Sequence, residues 1–215
     1  MEQIALHTRF AGLSSTLIGD ALDRLVGMRG LTRFDTGGAM VGPALTVRTR
    51  PGDNLALLAA IQGASSGAIL VVDAGGDEAV AVAGELLMAY ALRRGIRGLV
   101  VDGAIRDSDA FRAQGRFACF ARAVSLRGPS KTGPGAVNVP VSVAGQQVHP
   151  GDLVFGDADG VIAVPRERLS EVVAIAERCK EGEARMLAAL RGDDPDPLQV
   201  ARLLAQAPGQ VTGHA

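Results

Sequence analysis

Two short segments carry residue types from which a reaction centre could be built. Gly84-Glu85-Leu86-Leu87 opens an apolar stretch of helical character, and Asp102-Gly103-Ala104-Ile105-Arg106-Asp107 closes an apolar run of strand length. Twenty residues separate Glu85 from Arg106. The free N–H groups and the dipole of a helix's first turn favour an anion such as a carboxylate. Arginine forks onto a carboxylate or enolate oxygen, and aspartate offers a hard oxygen ligand to a divalent cation. By residue type alone the same Arg-Asp pair also reads as a surface ion pair, and the glycine as a simple helix cap.

Other chemistries lack their residues. The chain of 215 residues carries 22 Lys+Arg against 23 Asp+Glu, scattered so that no basic footprint for nucleic acid or an anionic membrane forms. No apolar run reaches the roughly 18 residues of a membrane span, and Met1 to Phe10 lacks the order of a signal peptide, so a cytoplasmic protein is expected. Cys119 and Cys179 stand apart, which excludes a disulfide framework, and His7, His149 and His214 are equally dispersed. A metal would therefore be held by oxygen, favouring Mg²⁺, Mn²⁺ or Ca²⁺ over zinc.

Lysine is limited to Lys131 and Lys180, both expected to be solvated, which disfavours a Schiff base. Gly128 to Gly133 lacks the glycine before its lysine that a phosphate loop needs and reads as an ordinary surface loop. Gly156 to Gly160 lacks the ligand run of a calcium loop and reads as a tight turn. No Gly-x-Gly-x-x-Gly follows the first strand, which counts against a nucleoside cofactor. His149 reads as structural. Asp20, Asp23, Glu181 and Glu183 read as solvated helix faces, with a neighbouring subunit's site as the alternative and Glu183 the first of them in that role.

Elements must position the two segments. Ser14 or Ser15 caps a helix with Leu17, Ile18, Ala21, Leu22, Leu25 and Val26 on one face, ending at Gly27 to Gly30. Residues 39–49 read as a strand that Gly42-Pro43 marks as bulged or at an edge. A turn at 51–54 precedes a short helix over Leu55 to Ile61. Ala68 to Asp73 and Gly98 to Asp102 are apolar strands joined by a helix from Val82 to Arg94, which makes a βαβ unit with parallel strands. Ser108 caps a helix over Asp109 to Gln114, and Phe117 to Ala121 is a third strand. Short alternating stretches from Val137 to Val164 form a meander. Pro165 opens a helix from Arg166 to Leu190 with Leu169, Val172, Val173, Ala176, Met186, Leu187 and Leu190 as its buried stripe, and one more helix reads over Leu198 to Ala207. The expectation is a single α/β domain over residues 1–192 and a polar tail over 193–215, with ligands beyond the carboxyl ends of the parallel strands.

The spacing from Gly84 to Leu87 through Val100-Val101-Asp102-Gly103-Ala104-Ile105-Arg106-Asp107 resembles the family of 4-hydroxy-4-methyl-2-oxoglutarate aldolases and regulator of ribonuclease activity A. So do Val139-Pro140-Val141 through Gly145, Val148-His149-Pro150-Gly151-Asp152-Leu153-Val154, Gly156-Asp157-Ala158-Asp159-Gly160-Val161 and the opening Asp20-Ala21-Leu22. The resemblance implies a swivelling-type α/β/β/α sandwich assembled as a homotrimer or dimer of trimers, with active sites at subunit interfaces. It further implies that the Gly84–Leu87 backbone holds the substrate carboxylate, that Arg106 binds the 2-oxo acid, and that Asp107 ligates Mg²⁺ or Mn²⁺. Aldolase members place an aspartate where this chain has Glu85, one methylene longer. Glu85 would then move protons through water. The implied reaction is metal-dependent cleavage of 4-hydroxy-2-oxo acids to pyruvate, with oxaloacetate decarboxylated through the same pyruvate enolate. The alternative within the same family is a non-catalytic, protein-binding regulator of ribonuclease activity.

Overall fold

The computed structural model describes residues 2–24, 26–192, 196 and 198–206. Leu25, Ala207 and His214 lie outside them, as does most of the expected 193–215 tail. The chain groups into two compact units, residues 1–176 and 177–215. In chain order the elements are α1 (Glu2–Ala11), α2 (Ser15–Ala21), β1 (Thr32–Arg33), β2 (Met40–Thr49), α3 (Leu55–Gln62), β3 (Ile69–Ala83), α4 (Glu85–Arg93), β4 (Gly98–Ile105), α5 (Ser108–Gln114) and β5 (Ala118–Val124). Then follow β6 (Gly135–Val137), β7 (Val141–Val143), β8 (Gln146–Val148), β9 (Leu153–Gly156), β10 (Val161–Val164), α6 (Leu169–Leu190) and α7 (Val200–Gln206).

Strands β2 to β5 lie side by side and parallel in a sheet ordered β1-β5-β4-β3-β2-β9-β10, with β6 also paired to β2. The apolar runs of these strands explain why both faces are covered. Leu70, Val72, Leu99, Val101, Cys119 and Ala121 point to a core shared with Leu57 of α3, Leu87 and Met88 of α4, and Phe111 of α5. Their alternates Ile69, Val71, Val100 and Phe120 meet Val141, Val143 and Val148 of the β7–β8 hairpin, with Val154 and Val161. Helix α2 packs on β10, where Gly19 stands against Ile162. The result is the expected mixed α/β domain with an α/β/β/α order of layers. A period-two strand buried on both faces needs this continuous hydrophobicity.

Several expectations change at element ends. Helix α2 stops at Ala21 rather than continuing to Val26, because Asp23 and Arg24 turn left-handed with φ of 65° and 62°. Strand β2 is neither bulged nor at an edge. Its residues Met40–Pro43 pair with β9, whereas Ala44–Arg48 pair with β3, and the exchange falls at Pro43, which has no N–H to offer a ladder. Gly42 is required there, since a Cβ would lie 2.5 Å from the Gly67 carbonyl oxygen. The cap of α5 is Asp107, not Ser108. In α6 the buried stripe ends at Ala176; Met186, Leu187 and Leu190 are open to solvent. Helix α1 is an element that the sequence pattern does not announce. Among the described residues no helix is long and apolar enough to cross a membrane.

Candidate active site

Strands β3 and β4 end together, and that brings the two chemical segments into contact. Their last paired residues are Ala83 and Ile105, and the Arg106 N–H donates to the Ala83 carbonyl at 2.9 Å. Directly beyond, Gly84 is the N-cap position of α4, and Asp107, two residues past Ile105, is that of α5. A Cβ on Gly84 would stand 2.5 Å from Asp107 Oδ2 and 2.8 Å from Arg106 Cγ, so only glycine permits this approach. The Gly84 backbone is extended, with φ of −160°, so the requirement is space rather than conformation.

Asp107 is held in the left-handed region at φ 54° and ψ 44°. A non-glycine residue pays roughly 1 kcal/mol or more for that conformation, and such strain gathers at functional sites. Its carboxylate does not cap its own helix. Instead Oδ2 accepts the Glu85 N–H at 3.0 Å and lies 3.6 Å from Arg106 Nε. The Arg106 and Asp107 side chains are 40% and 43% exposed, a setting in which an ion pair adds little stability, so stability does not account for the strained arrangement. The Glu85 N–H is already engaged by Asp107. The first-turn N–H groups of Leu86 and Leu87 remain for an anion, having no carbonyl one turn earlier.

Arg106 borders two clefts. One, of about 540 Å³, is lined by Glu85, Asp107, Asp109 and Ser125. The other is narrower, about 160 Å³, and adds Gly84, Leu86, Leu87, Asn54, Tyr90 and Lys131 to the Arg106 wall. Gly84, Glu85, Leu86, Leu87 and Asp107 thus meet around the Arg106 guanidinium. Asn54 and the exposed Lys131 join this wall without any signal in the sequence pattern. Asn54 is buried; its Nδ2 donates to the Val82 carbonyl at 3.1 Å, and its Oδ1 has no partner among the described residues. The loop 128–133, expected to be an ordinary surface loop, walls the narrow cleft with Pro129 and Lys131, and Gly128 abuts Arg106: a Cβ there would lie 2.9 Å from Nη1. No local pattern could reveal this, because the loop reaches the cleft through contacts distant in sequence.

The remaining motif residues stand away from the two clefts. The Asp102 carboxylate pairs with Arg122 and accepts the Ala144 N–H at 2.8 Å, tying β4 to β5 and to the β7–β8 turn. Asp157 receives the N–H and hydroxyl of Ser15, and the His149 N–H is held by Asp152. Asp20 pairs with Arg24; Glu181 and Glu183 are exposed on α6. A larger cleft of about 670 Å³ opens at the opposite ends of the strands, beside His7, Arg97 and Arg116. Its acid, Asp35, is tied by Arg33 and the Gly37 and Cys119 N–H groups. Burial raises the Asp35 pKa, but these contacts outweigh it and the net shift is downward.

Among the described residues no group of three or more His, Cys, Asp or Glu could enclose a metal. Asp107 directs Oδ2 to the protein, and Oδ1 makes no described hydrogen bond, with Glu85 and Asp109 lining the same cleft.

Residues 15–163 match the model of the RraA-like family, aldolase/RraA. The chain belongs to the aldolase/RraA family. The matched region of this aldolase/RraA chain contains every residue named around the two clefts. A relative from Halalkalibacterium halodurans, named "Putative 4-hydroxy-4-methyl-2-oxoglutarate aldolase", is 41% identical over 185 residues, which is 85% of this chain and 88% of the relative. Among solved structures, an uncharacterized protein from Pseudomonas syringae pv. tomato matches with a TM-score of 0.81 at 30% identity, covering 93% of both chains. The RNA-processing inhibitor RraA from Thermus thermophilis matches with a TM-score of 0.65 at 29% identity, covering 71% of this chain and 92% of its own.

Proposed function

We propose that this aldolase/RraA chain is a carbon–carbon lyase that cleaves acids of the 4-hydroxy-4-methyl-2-oxoglutarate type to pyruvate and decarboxylates oxaloacetate. The observation that carries this reading is the Arg106 guanidinium standing beside both the opening turn of α4 and the Asp107 carboxylate. The N–H groups of Leu86 and Leu87 bind the C1 carboxylate, and Arg106 forks onto the C2 oxygen where negative charge collects. Glu85, through water, takes the proton of the C4 hydroxyl as the C3–C4 bond breaks, and the bond's electrons become the enolate of pyruvate. The same proton returns to C3, giving a second pyruvate from the methyl-oxoglutarate substrate. With oxaloacetate the group leaving C3 is carbon dioxide, and one enolate serves both reactions. Asp107 would hold Mg²⁺ or Mn²⁺, which when bound supplies further positive charge for the C2 oxygen. Lys131 offers its ammonium to a distal carboxylate.

We infer a homotrimer or a dimer of trimers, as the family resemblance implies, in which another subunit covers Leu86 and Leu126, which are 81% and 90% exposed beside the cleft. The decisive measurement is pyruvate release from oxaloacetate and from 4-hydroxy-4-methyl-2-oxoglutarate with Mg²⁺ or Mn²⁺. Turnover above the metal-only rate, lost with EDTA and reduced about 10²- to 10³-fold in Arg106→Ala, is the expected result. No excess pyruvate from either substrate sinks the proposal. The likeness to the RraA inhibitor favours a second reading, a protein that binds and restrains a ribonuclease. Inhibition of ribonuclease cleavage by an Arg106→Ala protein devoid of lyase activity is the result that reading requires.

A further inference from the structure

The Asp53 carboxylate lies completely buried just before α3, far from any role in the reaction above, and it receives an unusual number of donors. Oδ1 accepts the Leu55 N–H at 2.9 Å. Oδ2 accepts the Ser130 hydroxyl at 2.7 Å, the Thr132 N–H at 2.7 Å, the Gly133 N–H at 3.0 Å and, more weakly, the Thr132 hydroxyl at 3.3 Å. Arg50 stands 3.5 Å away and also donates to the Ser130 and Thr132 hydroxyls. The backbones join as well: the Ser130 N–H donates to the Gly52 carbonyl at 2.8 Å and the Asn54 N–H to the Ser130 carbonyl at 3.1 Å. At its other end the loop is tied to β3, where the Ala81 N–H meets the Arg127 carbonyl at 2.9 Å. Between these two anchors lie Gly128, against the Arg106 guanidinium, and Pro129 and Lys131, which wall the narrow cleft.

We infer that Asp53 is a positioning residue for the candidate active site, acting through loop 128–133 to fix where Gly128, Pro129 and Lys131 stand against Arg106. The inference rests on the lyase reading for its kinetic test but not for its binding test. Asp53→Asn leaves one neutral amide oxygen in place of two charged acceptors: its NH2 faces either the Thr132 and Gly133 N–H groups or, with the amide turned, the Leu55 N–H, so the clasp on the loop weakens in either orientation without touching a substrate-binding group. Residues that support a site from behind typically change its performance 10- to 100-fold.

The test compares wild type, Ser130→Ala and Asp53→Asn with oxaloacetate and Mg²⁺, alongside hydrogen exchange of the Thr132 and Gly133 amides and circular dichroism. The expected result is a KM raised about tenfold in Asp53→Asn with kcat within about threefold, faster exchange of the two loop amides and an unchanged fold. Ser130→Ala, which removes one hydroxyl and leaves the backbone clasp, is expected to raise KM about threefold, and it carries the test should Asp53→Asn fail to fold. A merely structural role lowers the active fraction, and so kcat, at wild-type KM; that outcome overturns the inference. Faster loop exchange with unaltered KM overturns it equally. Should wild type release no pyruvate, the lyase reading falls alone, and calorimetric titration with oxalate and Mg²⁺ decides the positioning role. An oxalate dissociation constant about tenfold weaker in Asp53→Asn upholds the role, whereas an unchanged constant, or no oxalate binding by wild type, overturns it.

Discussion

On one side of Arg106 the Asp53 carboxylate is sealed from solvent and has donors for both of its oxygens; on the other, Asp107 is nearly half exposed, conformationally strained and engages a single N–H. Asp53 lies behind the loop that walls the narrow cleft, whereas Asp107 lines the wider one. A buried carboxylate is tolerable only when hydrogen bonds replace its hydration, and Asp53 meets that condition in full. Asp107 meets it only partly, and water must supply the rest. Groups meant to hold a loop should be saturated by the protein, whereas a group meant to meet a ligand or cation must keep an oxygen in reserve. The contrast separates scaffold from chemistry among residues of the same type.

Asp107→Gly breaks the comparison most severely. Glycine adopts φ of 54° without a Cβ penalty, so relief of strain worth about 1 kcal/mol offsets the loss of a weak exposed ion pair. Thermal unfolding is expected to show a midpoint at or above that of wild type, while pyruvate release falls about 100-fold or more. A large drop in midpoint would mean that Asp107 is structural after all.

Gly84→Ala is the next strongest perturbation and acts on the contact between the two segments. The added methyl falls within 2.5 Å of Asp107 Oδ2 and 2.8 Å of Arg106 Cγ, so both side chains must shift. Because both are half exposed they can yield, and the stability change should stay near 1 kcal/mol in a denaturant titration. Misplacing the guanidinium and carboxylate is expected to lower kcat/KM about tenfold in a pyruvate-release assay. Wild-type activity would show that the close approach of α4 to the Arg-Asp pair is not needed.

The sequence made the Asp107 side of the cleft readable and left the Asp53 side hidden. Glu85, Arg106 and Asp107 are joined by one βαβ unit, and apolar runs such as Ile69–Val72 and Leu99–Val101 announce its parallel strands and the end at which they open. Asp53 and Ser130 are 77 positions apart, and a clasp of backbone N–H groups leaves no periodic trace in either segment. Partner exchange along β2 is invisible for the same reason, since it depends on which strands arrive beside Pro43. The exposed later turns of α6 keep a helical apolar period, so pattern alone could not tell a buried stripe from an open one.

The smallest expected effect concerns pH and tests whether the clasp is as saturated as its geometry indicates. Burial by itself pushes the Asp53 pKa up, but the Leu55, Thr132 and Gly133 N–H groups and the Ser130 hydroxyl outweigh it and hold the carboxyl well below the usual carboxylate range. In the unfolded chain the group takes up a proton near its ordinary pKa of about 3.9, whereas in the folded protein it does not. Its stabilisation is therefore fully present above that value and drains away only as the pH falls below it, towards the folded pKa. Urea midpoints of wild type and Asp53→Asn should differ by a constant amount from neutral pH down to about pH 5, then converge below about pH 4. Convergence already between pH 7 and 5 would mean that the folded carboxyl binds its proton early, and that the loop beside Arg106 is held by something other than this charge.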